Sequence, residues 1–428
     1  MQGSSYMNTP ENEIKNITPV NLPQGEFTYY DEYHDFHGVN RFMLMLILAA
    51  LIPWFIGSYE IFSFNITGWA WVIPLVISGL ICLKNIRFIT FPLRLWIFWI
   101  IFMVVYWYFG RNNLNALQSL FQMVSPIIIG CAASTFHSNN WQLENIIHWL
   151  TRFAIIAWAI LIIRMPMILM GALPGHGFMA AEMIGLLLLG ACYASFYACG
   201  SHRHLYYYFA MLAIVLVALV RGPILAMLSC MPLTLTPVGI RKRVVMIAIL
   251  LICGIVIFNT DRVQQRMFQS GSGGITDLRL DNPNFQTSGR STVWEYLWYG
   301  VKEKPLLGNG WNSHRSKLFS LGYQNYAPHN DWLKLLYDIG AIGTGLYALT
   351  MLLQIFFLVR IARWATDLQQ MLSYGAATAF IPFMLIMFTD NVVLYVQFFG
   401  NLHFALIGIV YGTLQNEIID TKEGIYQQ

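Results

Sequence analysis

The chain has 428 residues, of which 57% are hydrophobic and only 11% charged, and its formal net charge is +4. So few charges, against about one quarter of the residues in soluble domains, exclude a protein folded mainly in water. The charge is too small and too spread out to point to nucleic acid. The six cysteines, Cys82, Cys131, Cys192, Cys199, Cys230 and Cys253, lie in or beside apolar runs and outside the one long polar loop, so they read as small packing residues rather than a disulfide framework.

The first 40 residues are polar and acidic and lack the charged start, short apolar stretch and cleavage site of a signal peptide, so the first span is expected to stay in the mature protein. Twelve apolar runs follow, near 42–58, 67–83, 94–109, 115–135, 146–164, 177–199, 205–220, 223–239, 244–259, 334–359, 374–394 and 400–415. Helices of that length match a hydrocarbon core of about 30 Å. The expected fold is therefore an all-α polytopic membrane protein of about 12 transmembrane helices with one long periplasmic loop containing short helices. Its expected parts are a cytoplasmic tail (1–40), nine spans (41–259), the large loop (260–332), three further spans (333–415) and a cytoplasmic C-terminal tail (416–428). Orientation comes from Lys and Arg. Lys84, Arg87, Arg94, Arg152, Arg203, Arg241, Lys242, Arg243, Arg360 and Arg363 fall on one side, and only Arg111, Arg164 and Arg221 in the short connections of the other. The positive-inside rule then puts both termini inside and the 260–332 loop outside. No repeat of transporter scale is visible.

In chain order, Glu182 (FMAAEMIGLL) is an ionisable residue within an apolar run. Arg221 stands between two apolar runs with almost no loop around it, and at membrane depth it would cost about 2.5–3.5 kcal/mol. Either it snorkels at the outer interface or it faces a wet cavity and binds an anion. Arg290 precedes Thr292 and Glu295, which have capping-box spacing, and Trp294, Leu297, Trp298 and Val301, which form a helical stripe. A helix is expected to start just after Arg290. An arginine there suits a phosphate; the alternative is a solvated loop residue. In APHNDWLKLLYDIGAIG, Pro328 and Asn330 mark a helix start, Leu333, Leu336 and Tyr337 its apolar face, and Gly340 its end or kink. His329 sits at that start, where the helix's positive end favours a neutral ring able to take a proton; the alternative is a capping or packing histidine. Asp390 and Asn391 lie toward the outward end of their run and, like Glu182, either pair with Arg164 or Arg221 or bond one another.

In pattern and order these residues resemble the O-antigen ligase and O-antigen polymerase superfamily of bacterial envelope glycan transferases. Arg221-Gly-Pro-Ile-Leu225 is similar to the ligases' R-x3-L element. Ser288-Gly289-Arg290 through Trp294 is similar to the superfamily's loop arginine, and His329 with Gly340 to its H-x10-G element. The signature runs from about Arg221 to Leu346, while the first 200 residues share only topology.

The resemblance implies a multi-pass enzyme of the bacterial inner membrane with a periplasmic active site. It would transfer a whole glycan from undecaprenyl diphosphate to a sugar hydroxyl. It also implies His329 as general base and Arg221 and Arg290 as stabilisers of the diphosphate leaving group, with Arg164, Glu182, Asp390 and Asn330 in support. Attack from the opposite face would invert the anomeric centre. No cofactor is expected, and metal independence is expected because guanidinium forks match phosphate oxygens. His329 with Asp331, or Asp277 with Asp281, would give only an incomplete ligand set.

Polymerases of the superfamily are associated with an R-x10-G element, which Arg164 and Gly175 fit and Arg290 with Val301 does not. The single large loop favours a ligase, whose acceptor is lipid A core, over a polymerase, whose acceptor is a second lipid-linked glycan. A secondary transporter or flippase would place a site at the midplane between repeats, which the outward clustering of polar residues disfavours. Trp311, Tyr323 and Tyr326 are candidates to line a sugar path or belong to the core.

Overall fold

The computed structural model describes residues 29–56, 60–61, 64–65, 69–109, 114–136, 140–170, 178–218, 220–279, 282–286, 289–323 and 327–426. The order is α1 (Tyr29–Ile56), a two-residue antiparallel pair β1 (Glu60–Ile61) and β2 (Phe64–Asn65), α2 (Val72–Lys84), α3 (Leu93–Phe109), α4 (Leu114–Ala133), α5 (Asn140–Leu169), α6 (Phe178–Ala198), α7 (Arg203–Ala218), α8 (Arg221–Cys230) and α9 (Ile240–Phe258). The polar loop carries α10 (Asp261–Met267), α11 (Arg290–Glu303) and α12 (Ser313–Ser320). Then come α13 (Asp331–Ala362), α14 (Asp367–Ile386) and α15 (Gly400–Tyr426).

The protein is a helical membrane protein, with a helix at each of the twelve apolar runs. Among the described helices, Asn115–Ala133, Trp141–Arg164 and Asp331–Ala362 are long and apolar enough to cross a membrane by length and composition. Helix length alone therefore does not carry the expected count of twelve spans. Two runs also end differently from expectation. The run at 223–239 is helical only to Cys230, because Pro232 and Pro237 cannot continue an i to i−4 ladder. The partly buried irregular backbone after it is tied down by hydroxyls: Leu235 N donates to Thr378 Oγ1 at 3.1 Å, and Ser195, Thr234 and Thr378 join in one network. The run at 374–394 leaves the helix at Ile386 and continues as buried turns, so Asp390 lies beyond the helix rather than in it.

Lipid-like solvent on the outside removes most of the hydrophobic drive between helices, so close packing and polar contacts must hold them together. Where α4 crosses α15, a Cβ on Gly408 would stand 2.2 Å from the Gly130 carbonyl oxygen, so only glycine lets the two backbones meet. On the same interface Ser125 Oγ donates to Asn401 Oδ1 at 3.0 Å. Such bonds are each worth about 0.6 kcal/mol inside a membrane protein. At the periphery α9 buries none of its side chains and exposes Val244, Ile249, Leu251, Ile252 and Val256.

Candidate active site around His329

The start of α13 is built against the end of α14. The first amides of a helix lack partners within it, and the carbonyls just past α14 supply them: Asp331 N donates to Met387 O at 2.7 Å. Trp332 Nε1 donates to Met384 O at 2.9 Å, and Asp331 Oδ2 accepts from Val393 N at 2.9 Å. Asn330 caps the helix as its sequence position suggests, its side chain accepting from Leu333 N at 2.9 Å.

His329, just before that cap, has φ of 50°. A non-glycine residue in the left-handed region costs about 1–2 kcal/mol, and polar contacts with Asp390 and Asn391 hold it there. His329 N donates to Asn391 Oδ1 at 3.0 Å, Nδ1 lies 3.0 Å from Asp390 Oδ1, and Asn391 Nδ2 lies 3.1 Å from the same ring nitrogen. Nδ1 cannot both donate to the carboxylate and accept from the amide. The charge-assisted bond is the stronger, so Nδ1–H faces Asp390 and Nε2 keeps its lone pair. The His329 side chain is 29% exposed and the Asp390 side chain 7%. Solvent thus reaches the ring far more than the carboxylate that orients it.

The loop arginine Arg290 reaches the same segment directly, whereas the bundle arginine Arg221 is bonded to the loop beside it. Arg290 is the first residue of α11 and its Nη1 donates to Thr389 O at 2.7 Å. A guanidinium has five N–H donors, and this bond uses one. Arg221 opens α8, its Nη1 donates to Gln286 O at 3.0 Å, and its guanidinium lies 6.0 Å from the Phe285 ring. The next residue, Gly222, packs so tightly on Thr389 that a Cβ would be 2.3 Å from its Oγ1. Tyr395 stands close enough to Asp390, Asp331 and Arg290 to feel their charges. The stretch Thr389–Asn391 is therefore the hub on which His329, Arg290 and the start of α8 converge. Such an arrangement can take a proton from a hydroxyl beside two fixed cations.

Residues 206–348 match the O-antigen ligase family model. The match covers about a third of the chain and makes the protein similar to glycosyltransferase-like membrane enzymes. No curated protein matches the chain. The matched segment contains Arg221, Arg290, His329 and Gly340, whereas Thr389–Asn391, which bonds His329 and Arg290, lies beyond it in sequence.

Within the O-antigen ligase segment, Gly340 breaks α13, with φ 65° and ψ −173°, a region essentially reserved for glycine. The turn at 304–310 enters the break. Ala341 N donates to Pro305 O at 2.8 Å and Ile342 N to Leu306 O at 3.1 Å, while Asn309 N and Gly310 N donate to the carbonyls of Tyr337 and Asp338. A Cβ on Gly340 would stand 2.2 Å from Leu306 O. Two residues before the break, buried Asp338 accepts from Asn312 N, Ser313 Oγ and His314 N, and lies 2.7 Å from His314 Nδ1. Burial lowers the His314 pKa from its ordinary value of 6.5 and outweighs the pull of Asp338, so the ring is neutral and donates from Nδ1.

Several expectations are corrected. Helix α11 begins at Arg290 itself, after Gly289 at φ 75°, and no side chain caps it, so Thr292 and Glu295 form no capping box. Its buried side is Val293, Leu297, Gly300 and Val301, with Trp298 exposed, because Gly300 lets the Tyr337 ring press against the backbone. Trp311 is core, buried and donating to Ala116 O at 2.9 Å, and Tyr323 is partly buried against the small cluster that contains Leu297 and Leu318. Tyr326 lies outside the described residues. Arg164 is inside α5, which continues to Leu169, and not in a loop. Asp390 partners His329. The Glu182 side chain, Gly175 and Asp281 lie outside the described residues. Among the described residues no group of three or more His, Cys, Asp or Glu could hold a metal ion.

Sequence reasoning missed Thr389, Lys334, Asp338 and His314 as parts of this machinery. A signal existed for some. Asp331, Lys334 and Asp338 repeat at i, i+3 and i+7 on an otherwise apolar helix, and Lys334 Nζ lies 3.7 Å from Asp331 Oδ1 with both side chains buried. Charges on one buried helix face need partners.

Proposed function

We propose that the protein is an O-antigen ligase that moves an undecaprenyl-diphosphate-linked glycan en bloc to a sugar hydroxyl of lipid A core. In this reading twelve helices cross the bacterial inner membrane, both termini are cytoplasmic, and the 260–332 loop stands over the site on the periplasmic face. The observation that carries it is the accessible His329 ring oriented by Asp390, on the same short segment that Arg290 braces.

The reaction balances on these residues. The acceptor oxygen attacks the anomeric carbon, the bond from that carbon to the diphosphate oxygen breaks, and the diphosphate leaves with the electron pair. The acceptor's proton passes to His329 Nε2, and the resulting imidazolium is stabilised by Asp390. Negative charge growing on the diphosphate needs fixed cations in a dry site, which Arg221 and Arg290 supply without reorganising. No metal enters this scheme; transfer by purified protein that a chelator stops would overturn that part. Opposite-face attack inverts the transferred sugar.

Complementation of a deletion strain by wild type and by His329→Ala, with protein levels checked, tests the reading. Bare lipid A core with long chains left on the lipid carrier is the expected defect. Single repeat units on the core would make the protein a polymerase of the same superfamily. A full wild-type pattern would end the general-base assignment.

A further inference from the structure

The turn Lys304–Leu307 does more than fill the break in α13, because its two leucines point outward. Leu306 is 62% exposed and Leu307 56%, within a turn whose backbone is otherwise tied down. Exposed neighbouring leucines on a rigid turn are costly in water, at about 25 cal/mol per Å². Their depth relative to the bilayer can be read in two independent ways.

From Gly340 to the end of α13 at Ala362 the helix rises about 33 Å at 1.5 Å per residue, close to the hydrocarbon thickness. Arg360 and Arg363 mark its far end. Gly340, and with it Leu306, therefore stands at the opposite boundary. The second reading is the antiparallel ladder between α3 and α13. Trp96 bonds Gln354, Trp99 stacks on Tyr347, and Phe102 lies against Gly343. One turn further along α3, Tyr106 donates to the Leu307 carbonyl. Just beyond it, Tyr108 and Phe109 at the end of α3 are exposed, as is Ile342, whose amide bonds Leu306. Leu306 and Leu307 thus continue the lipid-facing surface of two helices at the level where those helices leave the membrane. Lys302, packed over Tyr299 at 5.5 Å, and Lys304 flank the turn, with Glu303 between them offsetting one charge. Aromatic and basic side chains gather at such boundaries.

We propose that Leu306 and Leu307 are inserted in the outer leaflet of the membrane as a hook that fixes the height of the loop, with Lys302 and Lys304 among the phospholipid headgroups. The same turn holds the broken helix open at Gly340, so the hook ties the depth of the 331–339 segment, and of His329 at its start, to the bilayer surface. The inference rests on α13 crossing the membrane and not on which glycan is transferred.

A photo-crosslinking amino acid placed at Leu306, or separately at Leu307, in the full chain reconstituted in phosphatidylethanolamine and phosphatidylglycerol vesicles tests it. Leu352, exposed in the middle of α13, serves as the lipid-facing reference. Phospholipid adducts at both turn positions, in yield comparable to position 352, are the expected result. Loss of lipid adducts at both positions while 352 still gives them would overturn the proposal. So would adducts to a second copy of the chain, which would mean that protein covers the turn. Both positions are exposed, so folding should survive, and size-exclusion profiles confirm it before irradiation. The readout uses no activity, so failure of the hook and failure of the ligase reading stay distinguishable.

Discussion

Two His–Asp pairs bracket the first nine residues of α13, and the contrast between them shows how access decides what a pair is for. At the start, His329 lies 3.0 Å from Asp390 with its side chain 29% exposed; at the break, His314 lies 2.7 Å from Asp338 with both side chains almost fully buried. Chemically the pairs are equivalent. The outer one keeps a ring partly open to solvent, whereas the inner one spends its carboxylate on the first amides of α12 and locks the loop into the helix. Half-helix 331–339 is thereby held at its base while its tip carries the histidine we propose as the base, which is the arrangement precise positioning needs.

The strongest way to break this contrast is to close the base. Gly340→Ala forces a side chain into a region reserved for glycine and against the Leu306 carbonyl, so a loss of several kcal/mol is expected. Little monodisperse protein should survive size-exclusion chromatography after mild heating. A stable Gly340→Ala protein would mean that the turn at 304–310 is not wedged into the helix.

Next comes the exchange of roles. His329→Ala should leave the heat stability near wild type and lower transfer from a lipid-linked donor by about 10²–10⁴-fold, the usual contribution of a general base. His314→Ala should do the opposite, lowering stability while the protein that remains folded transfers at close to the wild-type rate. Single-turnover rates normalised to folded protein separate the two. Equal defects from both would dissolve the distinction.

How much of this was legible in the sequence depends on the range of the interaction. The twelve apolar runs are local, and a helix stands at each. Asn330 as a cap and Gly340 as a kink were also readable, because capping and glycine conformations are local physics. The fate of 231–239 was not: Pro232 and Pro237 sit in a run apolar enough to pass for a span, and the hydroxyls that satisfy its backbone come from α6 and α14. The buried side of α11 differs at two of its four positions, Val293 for Trp294 and Gly300 for Trp298, the second because Gly300, without a side chain to score, is the contact with Tyr337. Arg221, Arg290 and His329 were picked out by position and resemblance. The meeting of Arg290 and His329 on Thr389–Asn391 joins residues 61 or more positions apart, which no spacing in a single sequence reveals.

A pH series sharpens the comparison without touching the reactive end. Burial holds the folded His314 pKa below its ordinary value of 6.5, so the unfolded chain takes up a proton that the folded chain refuses. Stability from this group is complete above that value and is lost as pH falls toward the depressed folded value. Thermal unfolding in detergent should therefore weaken between about pH 7.5 and 5.5, and His314→Gln, which keeps a donor toward Asp338 but cannot titrate, should flatten the slope. An unchanged slope would mean that the ring titrates alike in the folded and unfolded chain.

The smallest expected effect tests whether the tip is positioned as well as oriented. Trp294 on α11 donates from Nε1 to the Pro328 carbonyl at 2.7 Å, immediately before His329. Trp294→Phe keeps most of the ring and removes this one bond, a loss of about 0.5–1.5 kcal/mol. If the bond only packs the loop, the loss appears wholly as reduced thermal stability and single-turnover transfer is unaltered. If it sets where the imidazole sits, transfer falls severalfold with little change in the donor KM and with stability nearly intact, because the lost energy had been holding a reactive geometry. The second outcome is expected: His329 occupies a strained backbone conformation, and a strained residue stays in place only when its neighbours over-determine it.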